Sequence, residues 1–85
     1  MRYSIAFRPA ALRSLESLPR PLQERIWTAI GALADAPYPP GAKKLKGPER
    51  YWRIRVGDYR VVYDVQHERL VVLVVRVGHR REVYR

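Results

Sequence analysis

The sequence predicts an α+β domain in which two short helices pack on one face of a small, mostly antiparallel, twisted sheet, in the order β-α-α-β-β-β. A change of hydrophobic period predicts it. Apolar residues recur at helical spacing between residues 9 and 37, whereas from residue 51 onward they alternate or run continuously, as strands do. With 85 residues, the chain is expected to form one domain, 1–85, around one core.

The first half predicts one strand and a helical hairpin. "RYSIAF" at residues 2–7 alternates apolar and polar positions, which indicates a half-buried strand. Pro9 fits the first turn of a helix, and "PRP" at 19–21 breaks that helix. Pro21 fits the start of a second helix, which Pro37 closes. The apolar positions expected on the helix stripes are Leu12, Leu15, Leu18, Leu22, Ile26, Ala29, Ile30 and Leu33.

A basic loop and a hairpin follow. Residues 36–50 contain four prolines and two glycines and are expected to form a loop. "YWRIRV" at 51–56 and "YRVVYDV" at 59–65 then flank Gly57-Asp58, a pair that fits a two-residue hairpin turn.

The remaining residues predict the last strand. "QHER" at 66–69 makes a turn, and "LVVLVVRV" at 70–77 is apolar on both faces, so it is expected to be the central and most buried strand. Gly78 ends it, and "HRREVYR" at 79–85 finishes the chain as an edge strand or an extended tail.

The charge of the chain points to an anionic partner. Lys and Arg number 17 against 8 Asp and Glu, a formal net charge of +9. Nucleic acid is the first candidate, an acidic protein the second and an anionic membrane the third, while solubility alone is the plain alternative. There is no cysteine, no signal-peptide pattern at the start and no apolar run long enough to span a bilayer. We therefore expect a soluble, cytoplasmic protein.

Three arginines are predicted to share one face of the hairpin. Alternation puts Trp52, Ile54 and Val56 toward the helices, so Arg53 and Arg55 lie on the open face. A two-residue turn pairs Arg55 with Arg60, which joins them. The residues expected to extend this face are Arg76, His79, Arg80, Arg81 and Tyr84. Asp64 and Glu82 are the acids available to balance it. A phosphate site is favoured over a merely solvated face.

The second half of the chain resembles the RelE/ParE superfamily of toxins from prokaryotic toxin–antitoxin pairs. The resemblance rests on "KLKG" at 44–47, "WRIRVGDYRVVY" at 52–63 and "VGHRREVY" at 77–84, together with the order of elements. It implies a RelE-like toxin domain over residues 1–85. It also implies a ribosome-dependent endoribonuclease that cuts mRNA in the decoding (A) site. The 2′-hydroxyl attacks, leaving a 2′,3′-cyclic phosphate and a 5′-hydroxyl.

The resemblance also assigns roles to residues. The family's catalytic residues match Arg53, Arg55, Arg60, Arg80 and Tyr84 of this chain. The arginines hold phosphate and stabilise charge, with Arg80 as the proposed acid and Tyr84 as the proposed base. The first-strand pair is often lysine in such enzymes, and arginine is effectively never deprotonated. Proton transfer therefore rests on Tyr84, with His79 as a secondary acid or base and an exposed turn histidine as its plain alternative.

Further contacts and partners complete the expectation. The residues expected to touch RNA backbone are Lys43, Lys44, Lys46, Arg76 and Arg81. No metal or cofactor is expected, because no His, Asp, Glu or Cys cluster has ligand spacing. The expected partners are a helical, acidic antitoxin of the RelB kind, the ribosome and mRNA, and no membrane. Two alternatives stay open: a ParE-like toxin that inhibits DNA gyrase, and a non-catalytic RNA-binding module.

Overall fold

A computed structural model describes residues 2–79 of the protein. Within this range the chain forms five strands and two helices, joined by short turns and by two longer loops, one on each side of the second strand. In chain order they are β1 (Ser4–Phe7), α1 (Pro9–Glu16), α2 (Arg20–Ala32), β2 (Lys43–Lys44), β3 (Trp52–Val56), β4 (Tyr59–Gln66) and β5 (Val71–His79).

The strands form one mixed sheet in the order β1-β5-β4-β3-β2. β1 runs parallel to β5, and every other neighbouring pair is antiparallel. The predicted α+β class and the mostly antiparallel sheet with two helices are confirmed. The structure adds one strand to the predicted order. The edge strand β2 is only two residues long, with Lys43 opposite Arg53 and Lys44 opposite Trp52, inside the segment predicted to be a loop.

The two helices begin close to where proline predicts and the second ends earlier. Both carry proline in the first turn. α2 ends at Ala32, well before Pro37, because the chain tightens there: the Leu33 amide donates to Ile30 and the Ala34 amide to Gly31. The Ala34 carbonyl then accepts from the Tyr3 amide at 2.8 Å. Neither helix is long and apolar enough to cross a membrane, within the part of the chain that the structure describes.

The core lies between the helices and one face of the sheet. Its fully buried side chains come from both helices, from Leu33 just after α2, and from strands β4 and β5. The largest of them are Tyr63, Leu15, Ile26, Ile30, Leu33, Val61, Val72 and Val74. Ile54 and Val56 of β3 are also buried, as alternation predicts. Among residues 2–79, both helices lie on this one face of the sheet, and no helix lies on the opposite face.

The central strand is β4, and the prediction that "LVVLVVRV" would be central is wrong. β5 lies between β1 and β4 and is an inner strand, but β4 occupies the middle of the five and is more buried along its length. β1 pairs only with residues 71–74 of β5. The apolar residues on the open face of β5, Val71 and Leu73, are only half-buried.

A β-bulge in β5 sets the orientation of the end of that strand. Tyr63 of β4 pairs with Val74, whereas the preceding Val62 pairs with Arg76, so Val75 is an extra residue. Simple alternation from Val72 and Val74 would turn residue 76 toward the helices. Because of the extra residue, Val77 is buried instead and Arg76 is exposed.

Candidate functional site

The β3–β4 hairpin brings the predicted arginines together. Gly57 has a φ of 61°, and Asp58 is not among the residues with positive φ. This matches a type II′ turn, which requires glycine at its first central position. The register that follows pairs Val56 with Tyr59 and Arg55 with Arg60, as predicted. Directly paired residues share a face, so Arg60 lies on the same side of the sheet as Arg53 and Arg55.

Two further basic residues reach the same side. Lys43 of β2 is paired with Arg53, and Arg76 of β5 is paired with Val62, itself the partner of Arg53. A row of four paired positions therefore crosses four strands, with a cation at every position except that of Val62. We call the whole set the cationic face, and it comprises Lys43, Arg53, Arg55, Arg60 and Arg76.

The arginines of the cationic face differ in burial. Arg55 and Arg76 are exposed and Arg53 is half-buried, whereas Arg60 is only 6% exposed. Arg60 is paired with Gly78 on β5, and a glycine adds no side chain to that face. Arg60 is therefore a fixed charge at the base of the face, while its neighbours extend toward solvent.

The charges of Arg53 and Arg55 are not balanced by nearby carboxylates in the part of the chain that the structure describes. Among residues 2–79, neither Arg53 nor Arg55 forms an ion pair. The ion pairs seen in that range, Arg2–Asp35 and Arg20–Glu24, lie elsewhere. Guanidinium groups set side by side without carboxylates repel one another and favour binding of an anion, which they grip through paired N–H donors.

Arg8 also lies near the cationic face, although the sequence analysis did not identify it as a site residue. It follows β1 directly, and its Nη2 atom donates to the Tyr51 hydroxyl across the sheet at 3.4 Å. Arg8 and Arg76 also line one open cavity of about 390 Å³, beside the start of α1. The other residues lining it are Ala10, Ala11, Ser14, Val75, Val77 and Gly78. The only feature of the sequence that could have indicated Arg8 is the alternation of apolar and polar residues in β1, which places position 8 on the face opposite to Phe7.

Several predicted residues do not join the cationic face. His79 is paired with Tyr59, on the helix side of the sheet, and its ring packs edge-on against that tyrosine at 5.6 Å between centroids. The prediction that His79 extends the open face is therefore wrong in placement. The register turns Lys44 away from Lys43, and Lys46 lies in the loop after β2. The predicted site residues Arg80, Arg81 and Tyr84 lie outside the described residues.

The chemistry that this arrangement supports is the binding of phosphate. Within residues 2–79 no group of three or more His, Asp or Glu side chains is placed to hold a metal ion. Fixed guanidinium groups can hold a phosphodiester and stabilise negative charge that develops on it. A cationic hairpin face on a sheet of this order, with two helices behind it, agrees with the class of protein that the sequence resembles, the small toxins of the RelE/ParE superfamily.

Comparison with known proteins gives the family. The family model described as the ParE toxin of the type II toxin–antitoxin system, parDE, matches residues 5–84, and the chain belongs to this family. The chain is 33% identical over 86 residues to toxin RelG of Mycobacterium tuberculosis, which covers 100% of this chain and 99% of that protein.

Solved structures agree with the fold. The isolated RelE toxin of Escherichia coli superposes with a TM-score of 0.80 at 30% identity, covering 96% of this chain and 90% of that one. The toxin in an archaeal RelE–RelB complex from Pyrococcus horikoshii gives a TM-score of 0.82 at 28% identity, over 94% and 97% of the two chains. The chain is thus a toxin of the RelE/ParE superfamily.

Proposed function

We propose that the protein is a ribosome-dependent endoribonuclease that cleaves mRNA in the ribosomal A site. The observation that carries this proposal is the cationic face, in which Arg53, Arg55 and Arg60 are brought together by the β3–β4 register. The similarity to the RelE toxin of Escherichia coli and to RelG supports the choice of activity.

The reaction is a transfer within the RNA. The 2′-hydroxyl attacks the adjacent phosphorus, the bond to the 5′-oxygen breaks, and a 2′,3′-cyclic phosphate and a 5′-hydroxyl remain. Arg53 and Arg55 hold the phosphate oxygens. Arg60, which is buried and fixed, stabilises the extra negative charge of the transition state.

Proton transfer is assigned to the end of the chain. Tyr84 accepts the proton of the 2′-hydroxyl. Arg80 donates a hydrogen bond to the leaving 5′-oxygen and stabilises its charge, and because arginine is effectively never deprotonated, the proton that this oxygen takes up comes from water. Both assignments rest on the resemblance to RelE-like enzymes. His79 is less suitable than expected, since it packs against Tyr59 on the helix side.

The partners proposed are a cognate antitoxin, the ribosome and mRNA. Toxins of similar structure have been solved with RelB antitoxins from Pyrococcus horikoshii and Escherichia coli. A formal net charge of +9 suits an acidic, helical antitoxin, which would associate rapidly and cover the cationic face.

A second candidate is a ParE-like toxin that inhibits DNA gyrase. It is favoured by the family model itself, which describes ParE toxins. The two candidates differ in what they require of the cationic face. Cleavage needs the arginines at the scissile phosphate, whereas gyrase inhibition leaves mRNA intact.

The experiment uses purified toxin, ribosomes programmed with a defined mRNA, and primer extension to map breaks. We expect breaks within the A-site codon only when ribosomes are present. The Arg53→Ala/Arg55→Ala variant should lose cleavage, as should Arg80→Ala and Tyr84→Phe. Arg13→Ala removes an exposed arginine from the helix layer and serves as the matched control.

Two results would contradict the proposal. Intact mRNA with folded toxin and inhibited gyrase would establish the second candidate. Cleavage at the wild-type rate by Arg80→Ala and Tyr84→Phe would overturn the assignment of proton transfer, while leaving the nuclease in place.

A further inference from the structure

A second group of aromatic and basic residues lies at the other end of the sheet. His67, in the turn after β4, is held between two tyrosine hydroxyls. Its Nδ1 atom is 2.7 Å from the Tyr3 hydroxyl and its Nε2 atom is 2.8 Å from the Tyr38 hydroxyl. These contacts join the start of the chain, the loop before β2 and the β4–β5 turn, and they fix the Tyr38 ring in an otherwise exposed loop.

The two hydroxyls can be satisfied by His67 together. Burial raises the pKa of Tyr38, so its phenol keeps its proton at neutral pH. The tautomer of His67 decides which of the two tyrosine hydroxyls donates to the ring and which accepts from it. Each polar atom of the three rings has a partner, which gives Tyr38 one preferred orientation.

Tyr38 and Trp52 form an aromatic wall. Their ring centroids are 4.7 Å apart with an angle of 55° between the planes. Tyr38 is 44% exposed, so one face of its ring is open to a ligand. Flat aromatic surfaces of this kind bind unpaired nucleobases by stacking, with little dependence on sequence.

Two cations complete the pocket. A cavity of about 200 Å³ is lined by Tyr38, Lys44, Arg50, Trp52, Val65 and His67. Lys44 and Arg50 are both exposed, and no carboxylate is among the residues that line the cavity. A stacking wall beside two positive charges matches the chemistry of a nucleotide, whose base is flat and whose phosphate is anionic.

This cavity is separate from the cationic face. Trp52 is paired with Tyr63, on the helix side of the sheet, at the opposite end of β3 from the Gly57 turn. The short edge strand β2 connects the two places, because Lys43 is paired with Arg53 whereas Lys44 is paired with Trp52. An RNA strand that leaves the cationic face around this edge would reach the cavity.

We propose that the cavity is a second RNA contact that binds one unpaired nucleotide outside the cleavage site. Its base stacks on the exposed face of Tyr38 and contacts the edge of Trp52, and its phosphate lies between Lys44 and Arg50. The inference rests on the proposed function in taking RNA as the ligand, but it does not require the protein to cut RNA. In this proposal Lys44 contacts the nucleotide in the cavity, whereas Lys43, its neighbour in the chain, contacts RNA at the cationic face.

The test uses the full chain carrying Trp27→Phe, which leaves Trp52 as the only tryptophan. A single-stranded 2′-O-methyl RNA octamer is titrated while Trp52 fluorescence is followed. The 2′-O-methyl groups block attack on phosphorus, so binding is measured without cleavage. We expect quenching of Trp52 that is retained in Arg53→Ala/Arg55→Ala.

Variants then separate stacking from charge. Tyr38→Ala and Lys44→Gln/Arg50→Gln should each weaken the quenching interaction about tenfold. Tyr38→Phe keeps the ring and should bind more tightly than Tyr38→Ala. Arg69→Gln, which removes an exposed charge from the same turn as His67 without touching the cavity, is the matched control and should change affinity about twofold at most. Circular dichroism checks that each variant is folded.

Three outcomes would overturn the inference. They are binding of the octamer without any change in Trp52 fluorescence, wild-type affinity for folded Tyr38→Ala, and equal quenching by an acidic octapeptide. A toxin that cuts mRNA on ribosomes but gives no Trp52 response would refute the second contact alone. A toxin that gives the response but does not cut would refute only the nuclease.

Discussion

Arg55 of β3 and Arg60 of β4 lie directly opposite each other, and the first is exposed whereas the second is 6% exposed. Like charges at paired positions repel each other. An anion bound between the two groups would relieve that repulsion. Because one arginine is exposed and the other is buried, replacing each in turn distinguishes a contribution to RNA binding from a contribution to stability.

Replacing these two arginines should give different results. Arg55→Ala removes repulsion from an exposed site, so the free energy of unfolding should stay constant or rise by a few tenths of a kcal/mol. Arg60→Ala removes a buried side chain and should lower it by about 1–3 kcal/mol. Both should slow mRNA cleavage by about a hundredfold or more. Urea unfolding and the ribosome assay measure the two effects. Equal destabilisation by both variants would mean that Arg55 is structural.

The turn between β3 and β4 should tolerate alanine at only one of its two positions. Gly57 has a φ of 61°, a left-handed conformation that costs an L-residue roughly 1–2 kcal/mol. Gly57→Ala should therefore lower the free energy of unfolding by about 1 kcal/mol, although a Cβ there would come no closer than 3.8 Å to Arg25. Asp58→Ala, at the neighbouring exposed position without positive φ, is the control and should have little effect. Thermal unfolding followed by circular dichroism decides between them.

The faces of Arg76 and Val77 should survive removal of the bulged residue Val75. Deleting Val75 brings Arg76 directly after Val74, so simple alternation places Arg76 on the open face and Val77 toward the helices, as the bulge does now. The deletion variant should therefore fold, with a free energy of unfolding within about 1 kcal/mol of that of Val75→Ala, which keeps the extra residue. Urea unfolding measures both. A deletion variant that does not fold, beside a folded Val75→Ala, would show that the bulge itself is required.

Alkaline pH should destabilise the protein through Tyr63. This side chain is fully buried and its hydroxyl donates to the Pro37 carbonyl at 2.6 Å. Burial, with a smaller contribution from Tyr38, raises the pKa of Tyr63 from 10.0 to about 12. The folded state therefore favours the neutral phenol, so the stabilisation is complete below pH 10 and is lost as the pH rises to about 12.

Tyr63→Phe provides the comparison. The variant should lose about 1 kcal/mol at neutral pH, since the Pro37 carbonyl loses its donor. It should also lose less of its remaining stability than the wild type does between pH 10 and 12. Urea unfolding at several pH values measures both, and tyrosinate absorbance follows ionisation. Parallel curves for the two proteins would contradict the assignment to Tyr63.

The predictable parts of the fold are those in which neighbouring residues decide the outcome. Alternation on β3 and the two-residue turn at Gly57-Asp58 were enough to place Arg53, Arg55 and Arg60 together. Proline at the start of each helix and the apolar stripes were enough to place α1 and α2. Each of these features depends on contacts within a few residues.

The missed features depend on pairing between distant strands. No property of Val75 marks it as the bulged residue; the register against β4 makes it so. The same register turns His79 toward Tyr59, and it gives Arg60 a glycine for a neighbour. β2 is too short to have a period of its own. Charge and spacing predicted which residue types form the site, while tertiary pairing determined which of them meet.

The two-residue strand β2 also affects how the protein behaves before it meets any ligand. An exposed sheet edge can recruit strands from other copies, and the usual safeguards are a short edge and lysine side chains along it. β2 has both features, since it is only two residues long and both residues, Lys43 and Lys44, are lysines. A freshly synthesised chain is thereby discouraged from stacking edge to edge into fibrous aggregates, which favours a dispersed pool of single molecules.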